Sequence, residues 1–322
     1  MKVCNWGILG CGKIAEKFAE DLIHVPNANL YAVASRDKKK AEAFSKQHQA
    51  NQYFGNYQSL IDTPEVDVIY IATPHVFHFE QTIACLMHHK AVLCEKPFAM
   101  NSREVAEMIR MAKEQNVFLM EGLWTHFLPH FQYILNIVKS GSLGAITHVS
   151  ADFGFKGNPV MTPRLFEKNL GGGSLLDVGV YTLFSALLLL GYPQKSSARA
   201  EFSGNGSDLD CTITLTYENK VTANLYSSII KETPTELIID FEHGKIKANG
   251  RFHEPTSLEI TQKGTTESKD FTGTGLGFQY EIMHVQEMLQ TGSKESTVMT
   301  FEKSKQLMKL LDEIRSKIDL VY

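Results

Sequence analysis

The chain has 322 residues, of which 43% are hydrophobic and 21% are charged, and its formal net charge is −4. Its length exceeds the size of one comfortable hydrophobic core, so the composition predicts a globular protein with two domains. The small negative charge gives no electrostatic reason to expect nucleic acid or an anionic membrane as a partner. The five scattered cysteines form no Cys-x-x-Cys pair, which argues against a disulfide framework or a structural zinc site and favours a cytoplasmic location.

The first part of the chain alternates short β-rich runs with stretches of helical spacing. Strands are predicted at residues 3–9, 30–35, 66–72, 91–94 and 117–120, and helices at residues 13–22, 38–47, 77–88 and 102–115. This alternation is typical of a doubly wound parallel α/β sheet, which we expect over residues 1–122.

A different pattern begins after about residue 125. Helices are predicted at residues 127–139, 277–289 and 302–318, and strands at residues 197–202, 210–217, 221–228, 235–241 and 257–261. The strand spacing predicts an α+β domain with a large open, mostly antiparallel sheet over residues 123–322, and it leaves open whether the C-terminal helix packs back on the first domain. Residues 174–190 are nearly all apolar, but the stretch is short for a spanning helix and carries Asp177, so we interpret it as a buried helix.

A glycine turn, Gly10-Cys11-Gly12-Lys13-Ile14-Ala15, follows the first predicted strand and opens the first predicted helix. Gly10 permits a tight turn, and Gly12 lets the backbone approach a pyrophosphate. The free N–H groups and the positive dipole end of the helix suit phosphate as well. The sequence therefore predicts a dinucleotide site that includes Gly10, Cys11, Gly12, Lys13 and Ile14.

The end of the second strand bears on which dinucleotide binds. NAD enzymes usually place a carboxylate there for the ribose 2′-hydroxyl, whereas this chain continues Ser35-Arg36-Asp37. Asp37 is either that ribose acid or the cap of the following helix, and we favour the cap. Ser35 and Arg36 can then hold a 2′-phosphate, so the sequence favours NADP and leaves NAD as the alternative.

Two later strand ends add further candidates to the cofactor site. Ala72-Thr73-Pro74 ends the strand at 66–72, and His78 follows, either as a hydrogen-bond partner of the cofactor or as a helix-surface histidine. Glu95-Lys96-Pro97 closes the strand at 91–94 and puts an ammonium group at the carboxyl ends of the strands, where open α/β sheets hold ligands. We expect both segments and His78 to contact the cofactor. No third ligand stands at a suitable spacing from the histidines, so no metal is expected.

An acid and a phenol interrupt the apolar helix that follows the turn Gly171-Gly172-Gly173. Asp177 and Tyr181 are four residues apart, so on a helix they share one face, and both are costly there unless they meet a partner or line a cavity. A cation such as Lys96 near Tyr181 favours phenolate. The interpretation is that Tyr181 takes a hydroxyl proton, Lys96 stabilises the phenolate, and Asp177 holds Lys96 or a substrate hydroxyl. In the alternative, Lys96 is the base and Tyr181 only positions the substrate.

Together, the segments 10–15, 72–74 and 95–97 and the Gly-Gly-Gly-x-x-x-Asp-x-Gly-x-Tyr block resemble the Gfo/Idh/MocA (glucose–fructose oxidoreductase/inositol dehydrogenase) family. Tyrosine at position 181, with segments 121–124 and 162–166, is similar to its dimeric dihydrodiol dehydrogenase and NADP-dependent xylose dehydrogenase branch. The resemblance implies a Rossmann domain, an open-faced second sheet that forms homodimers or higher homo-oligomers, a cis bond at Pro97, and Lys96 and Tyr181 at the reacting carbon. It also implies a substrate pocket lined by Trp124, Arg164 and Phe278.

The sequence therefore predicts an NADP-linked dehydrogenase that acts on a secondary alcohol or hemiacetal of a small cyclic polyol, either a sugar or a trans-dihydrodiol. Two alternatives stay open. One is an NAD-dependent inositol or sugar dehydrogenase, because Asp37 leaves the cofactor choice less certain. The other is a catalytically silent NADP-binding sensor, which predicts loss of the reacting groups.

Overall fold

The computed structural model describes residues 3–322, which divide into two compact units. The first unit contains the described residues up to Trp124 together with Thr274–Lys305, and the second contains Thr125–Gly273 and Gln306–Tyr322. The division into functional domains after residue 122 stays a prediction. The structure adds that Thr274–Lys305, a segment late in the sequence, is part of the first unit.

The described residues of the first unit form a six-stranded sheet in which every neighbouring pair is parallel. Its strands are β1 (Cys4–Leu9), β2 (Ala28–Ala34), β3 (Gln52–Phe54), β4 (Val68–Ile71), β5 (Ala91–Glu95) and β6 (Leu119–Gly122). Their order, β3-β2-β1-β4-β5-β6, reverses direction next to β1, and this confirms the predicted doubly wound sheet. All residues of β4 and β5 are buried, as expected for strands covered on both faces.

Helices connect these strands, as the alternation predicted. They are α1 (Lys13–Leu22), α2 (Lys38–His48), α3 (Tyr57–Ile61), α4 (His78–Met87) and α5 (Ser102–Gln115). The short elements β3 and α3 were not predicted, because neither is long enough to show a hydrophobic period. Asn101 caps α5, since its side chain accepts a hydrogen bond from the Glu104 N–H.

The second unit holds an eight-stranded sheet within its described residues. Its strands are β7 (Ile146–Gly154), β8 (Lys195–Phe202), β9 (Asp208–Thr216), β10 (Thr222–Ser228), β11 (Leu237–Phe241), β12 (Gly244–Ala248), β13 (Ser257–Gln262) and β14 (Thr265–Asp270). The order is β14-β13-β12-β11-β7-β10-β9-β8, and only the β7–β10 pair is parallel, so the predicted mostly antiparallel sheet is confirmed.

Two helices of the second unit precede most of its strands: α6 (Pro129–Ser140) and α7 (Val180–Leu190). A π-helical turn, Leu175–Gly179, leads directly into α7. The apolar composition of α7 is explained by burial, because the helix packs on β7 and β10 and most of the stretch is inside the unit. The interpretation of this segment as a buried core helix is therefore confirmed.

Two further helices complete the chain: α8 (Phe278–Gln290) and α9 (Phe301–Lys317). Helix α8 belongs to the first unit, where it packs on α1. The buried carboxylate of Asp21 in α1 accepts hydrogen bonds from the backbone N–H groups of Leu276 and Phe278, so it satisfies the N-terminus of α8.

Candidate active site

The glycine turn of the first unit fits a dinucleotide phosphate. Gly10 has a φ of +102°, and a side chain there would place its Cβ 2.9 Å from the carbonyl oxygen of Ala72. Gly12 is the N-cap of α1 and offers no side-chain cap, while the space where its Cβ would project is empty to 4 Å. Lys13 and Ile14 are the first residues of the helix. The N-terminus of α1 therefore keeps uncapped N–H groups beside open space, as an anion site requires.

The side chain of Cys11 connects this turn to the end of β2. Its thiol is buried and lies 3.6 Å from the carbonyl oxygen of Ala34, to which it donates. Burial raises the pKa of Cys11 to about 11, so the thiol is neutral. The Cys11 side chain therefore packs inside the unit. The predicted contact between Cys11 and the cofactor would come from the Cys11 backbone.

At the end of β2, the structure confirms that Asp37 caps the following helix. Asp37 is the N-cap of α2, and its Oδ1 accepts hydrogen bonds from the N–H groups of Lys39 and Lys40 at 2.9 and 3.3 Å. The Ser35 side chain accepts from the Asp37 N–H. The exposed Arg36 guanidinium lies 5.6 Å from the ring centroid of Phe77, a contact that the sequence did not predict. A hydroxyl and a guanidinium thus stand at the strand end, and the carboxylate is engaged in capping.

His78 joins the two strand ends that carry the other cofactor candidates. Its ring is fully buried, and its Nδ1 and Nε2 lie 2.9 Å from the carbonyl oxygens of Pro97 and Thr73, respectively. The Thr73 hydroxyl donates to Gln81, which fixes the segment after β4. The Lys96–Pro97 peptide bond is cis, as the family resemblance implied. The structure gives His78 a bracing contact on each ring nitrogen, and its contact with a cofactor stays a prediction.

Glu95 braces the backbone of the lysine beside it. The Tyr70 hydroxyl donates to Glu95 Oε1, and the backbone N–H of Lys96 donates to Glu95 Oε2 at 3.1 Å. Glu95 is buried and Lys96 is half-buried. A carboxylate held by a phenol and by the next peptide group restricts the direction in which the Lys96 side chain leaves the strand.

Two other buried carboxyl groups lie near Glu95, and the sequence did not single them out. Glu121 Oε1 accepts from the N–H of Phe98, and burial raises the pKa of Glu121 to about 7. Glu281 of α8 is fully buried, and burial raises its pKa well above the usual range, with smaller contributions from Glu95 and Asp21. No periodic pattern distinguishes such residues from exposed glutamates.

Two predicted pocket residues meet each other in the first unit. The rings of Trp124 and Phe278 are stacked, with centroids 4.3 Å apart and planes 10° apart, and both side chains are buried. Phe278 also makes an edge contact with Phe18 of α1. Their predicted contact with substrate stays a prediction.

In the second unit, the acid of the Gly171–Asp177 block meets an arginine. Asp177 lies in the π-helical turn rather than in a regular α-helix, and its Oδ1 accepts a hydrogen bond from Arg164 Nη2 at 2.8 Å. The Asp177 side chain is 12% exposed and that of Arg164 is 37% exposed. Both residues were predicted to be functional, but their ion pair was not predicted, because the two residues come from turns that are separate in the sequence.

The glycines of this block allow close approaches that a side chain would prevent. A Cβ on Gly172 would lie 2.4 Å from the carbonyl oxygen of Arg164, and one on Gly173, whose φ is +136°, would lie 2.0 Å from Asp208 Oδ1. The buried Asp208 carboxylate accepts from the Ser174 hydroxyl and from the backbone N–H of Leu175. Burial raises the pKa of Asp208 to about 6. Asp208 therefore fixes the start of the turn that carries Asp177, a role that no sequence pattern indicated.

Tyr181 lies in α7 with its ring 6% exposed. Its neighbours include Phe153 at the end of β7, 5.6 Å away between ring centroids, and His253, 5.1 Å away. His253 was missed in the sequence because it follows β12 at no recognisable spacing from Tyr181. The first unit thus gathers the cofactor candidates, Lys96, Trp124 and Phe278, whereas the second gathers Asp177, Arg164 and Tyr181.

Both units match one family of known proteins. Residues 4–123 match the Gfo/Idh/MocA oxidoreductase family with an NAD-binding Rossmann fold, and residues 131–247 match the Gfo/Idh/MocA C-terminal domain. Trans-1,2-dihydrobenzene-1,2-diol dehydrogenase from Xenopus laevis is 35% identical over 330 residues, covering 99% of each chain. The enzyme of that name from Homo sapiens is 33% identical over 332 residues, covering 99% of this chain and 98% of the other.

Solved structures share the fold at lower identity. A 3-ketoreductase from Actinomadura kijaniata, in complex with NADP and TDP-benzene, superposes with a TM-score of 0.88 at 24% identity over 98% of both chains. An aldose-aldose oxidoreductase from Caulobacter crescentus, complexed with glycerol, has a TM-score of 0.89 at 22% identity over 99% of this chain and 98% of the other.

Proposed function

Because this chain belongs to the Gfo/Idh/MocA oxidoreductase family, we propose that it transfers a hydride between NADP and a secondary alcohol or hemiacetal of a small cyclic polyol, either a sugar or a trans-dihydrodiol. One observation carries this proposal. The chain is similar over 99% of its length to enzymes named trans-1,2-dihydrobenzene-1,2-diol dehydrogenase, and it contains Lys96, Asp177 and Tyr181, on which the proposed chemistry depends.

The preference for NADP is supported at the end of β2. Asp37 uses its carboxylate to cap α2, which leaves Ser35 and the exposed Arg36 to meet a 2′-phosphate. Arg36 can hold the phosphate with two parallel N–H groups. The related fold from Actinomadura kijaniata was crystallised with NADP, which agrees with this preference.

The proposed chemistry divides the work among three side chains. Bound NADP would supply the hydride acceptor for the substrate carbinol. Tyr181 takes the proton of the substrate hydroxyl, and Lys96 supplies the positive charge that favours the phenolate. Asp177 holds a neighbouring hydroxyl of the substrate; in the alternative it holds Lys96.

Asp177 is supported in this role by its pairing with Arg164. The two form a charged pair in which Arg164 Nη2 is engaged, while Arg164 Nη1 is buried and has no hydrogen-bond partner among residues 3–322. A buried donor without a partner is costly, and an oxygen of a bound polyol would satisfy it. On this ground we propose that Arg164 binds substrate, and we separately propose Trp124 and Phe278 of the first unit as substrate contacts.

We also propose that the protein is a cytoplasmic homodimer or higher homo-oligomer. The family resemblance implies pairing through the second sheet, and one face of that sheet is accessible in this unit. There β9 and β10 present Thr212, Thr214 and Asn224, which are exposed or half-buried, whereas Ala223 and Leu225 of the opposite face are buried. Sedimentation velocity at several concentrations tests the assembly, and a monomer throughout would refute it.

The function is tested by measuring reduction of NADP and of NAD with a panel of aldoses, inositols and trans-dihydrodiols. The expected result is turnover of at least one cyclic polyol with NADP and a lower kcat/KM with NAD. Binding of NADPH without turnover of any compound, in either direction, would favour the silent sensor.

A further inference from the structure

A turn in the second unit is held in an unusual backbone conformation and presents a histidine to Tyr181. Arg251 has a φ of +63°, a left-handed conformation that is unfavourable for a non-glycine residue. Four hydrogen bonds hold this turn. Two are between backbone groups: the Phe252 N–H donates to the Thr235 carbonyl, and the Glu254 N–H donates to the Arg251 carbonyl. In the other two, His130 Nε2 binds the Phe252 carbonyl and the Thr125 hydroxyl donates to the His253 carbonyl. Strain that is maintained by so many contacts is typical of functional positions.

The imidazole of His253 lies between two aromatic rings. It stacks on Phe153 with centroids 4.1 Å apart and planes 25° apart, and its centroid is 5.1 Å from that of Tyr181. The side chain is buried, with 3% of the residue exposed. The imidazole and the phenol ring are therefore neighbours, and a proton passes between two such groups when their polar atoms come within hydrogen-bond reach or are bridged by one water molecule.

A partly exposed carboxylate lies next to His253. Glu254 Oε1 lies 3.7 Å from His253 Nε2, and the Glu254 side chain is 23% exposed. Arg251 holds both oxygens of Glu254, with N–O distances of 2.6 Å. The Glu254 carboxylate raises the pKa of Arg251, and the Tyr181 phenol contributes less in the same direction. Tyr181, His253 and Glu254 therefore form a sequence of titratable groups that runs from α7 to the surface, with Arg251 beside it.

We propose that His253 relays the proton that Tyr181 exchanges with the substrate, and that the neighbouring Glu254 carboxylate stabilises the imidazolium while the proton passes to water. The relay rests on the proposed function. During alcohol oxidation, the substrate O–H bond breaks and its proton converts the Tyr181 phenolate into a phenol; the carbinol C–H bond breaks as well, and bound NADP would supply the acceptor for its hydride. The phenol O–H then breaks as an N–H forms on His253. The imidazolium gives this proton to water beside Glu254, and the phenolate is restored for the next turnover.

The first test replaces the imidazole while keeping a side chain of similar size. His253→Phe retains a ring against Phe153, and His253→Gln retains polarity, but neither titrates near neutral pH. We expect kcat at pH 7 to fall about 10- to 100-fold in both, because a positioned proton-transfer group is worth a factor of this order or more. The KM for NADP should stay within about 2-fold, since only a proton-transfer step is removed. His253→Ala should regain activity when imidazole is added to the buffer.

A matched control uses an exposed histidine of the same unit. His243→Gln makes the same chemical change at a surface turn, and its kcat and pH profile should equal those of the wild type. If the His253 variants keep the wild-type pH profile of kcat and change only the KM for the polyol, the relay is wrong and His253 is a packing residue. Failure of imidazole to rescue His253→Ala would also count against it.

The second test needs neither substrate nor cofactor. In histidine-labelled protein, the NMR signal of His253 is identified by its absence in His253→Gln and is followed from pH 5 to 9. In Tyr181→Phe we expect the titration midpoint of His253 to move by about 0.5 pH units or more, because a coupled acid has been removed. An unchanged midpoint would overturn the coupling. If no polyol is turned over but the midpoint moves, the proposed function fails while the coupling of the two residues stands.

Discussion

The Asp177 carboxylate and the Arg164 guanidinium form a hydrogen-bonded ion pair at 2.8 Å, and this pair joins two turns that are separate in the sequence. Asp177 lies in the π-helical turn before α7, and Arg164 lies in the short 3₁₀ turn Pro163–Phe166. The backbone of Arg164 is also close to the glycine block, since its carbonyl occupies the space where a Gly172 side chain would project. The acid of the candidate site is thus oriented by a cation of its own unit.

Arg164→Lys keeps the positive charge of this pair and removes the planar fork of N–H groups. Because lysine cannot hold Asp177 and a substrate oxygen at once with the same geometry, we expect the KM for the polyol to rise about 10-fold or more. The KM for NADP should stay unchanged. Steady-state kinetics with each ligand varied separately measures both. Arg199→Lys, an exposed change on β8, is the control, and equal kinetics for the two variants would remove Arg164 from the substrate site.

Arg36→Ala tests the proposed choice of cofactor. Loss of a charge-assisted hydrogen bond to a 2′-phosphate should raise the KM for NADP by about 10- to 100-fold and leave the KM for NAD nearly unchanged. Initial rates with both cofactors measure the ratio. Arg103→Ala, an exposed change on α5, controls for a general loss of positive charge. An unchanged KM for NADP in Arg36→Ala would end the preference for NADP.

The parts of the structure that the sequence predicted are those with local signals. The glycine turn, the alternation of strands and helices in the first unit, and the cap formed by Asp37 each depend on residues that are close together in the chain. Strand β14 was missed because it contains no apolar residue and depends on its pairing with β13. A strand stabilised by its neighbour alone carries no period of its own.

The partnerships of the candidate site could not be predicted, because they join distant segments. Asp208 accepts a hydrogen bond from the Ser174 hydroxyl, 34 residues away in the sequence. Between Tyr181 and its neighbour His253, the sequence contains the strands β8 to β12. The sequence offered Lys96 or a substrate hydroxyl as the partner of Asp177, and the structure adds Arg164. Burial of an acid depends on tertiary packing, so neither Asp208 nor Glu121 could be distinguished from a surface carboxylate beforehand.

Gly173→Ala should destabilise the second unit through two separate causes. The φ of +136° is unfavourable for alanine, and the new Cβ would lie 2.0 Å from Asp208 Oδ1. Gly191→Ala is a matched control, because its φ of +77° is also positive but nothing lies within 4 Å of the added atom. We expect about 1–2 kcal/mol of destabilisation for the control and about 3 kcal/mol or more for Gly173→Ala. Urea unfolding of both variants measures the difference in the free energy of unfolding. Equal values would mean that the Asp208 side chain moves away from the added Cβ without a loss of stability.

The buried carboxyl group of Glu121 should make stability depend on pH near neutrality. Burial raises its pKa from the ordinary value of 4.5 to about 7, so between these values the folded chain holds a proton that the unfolded chain releases. The free energy of unfolding is therefore highest below the ordinary value and falls as the pH rises through about 7, by at most about 3 kcal/mol.

In Glu121→Gln the side chain stays neutral, and its oxygen can still accept from the Phe98 N–H, so this part of the pH dependence should vanish. Urea unfolding from pH 5 to 8 measures it, with exposed Glu65→Gln as the control. A slope in Glu121→Gln equal to that of the wild type would assign the pH dependence to other groups.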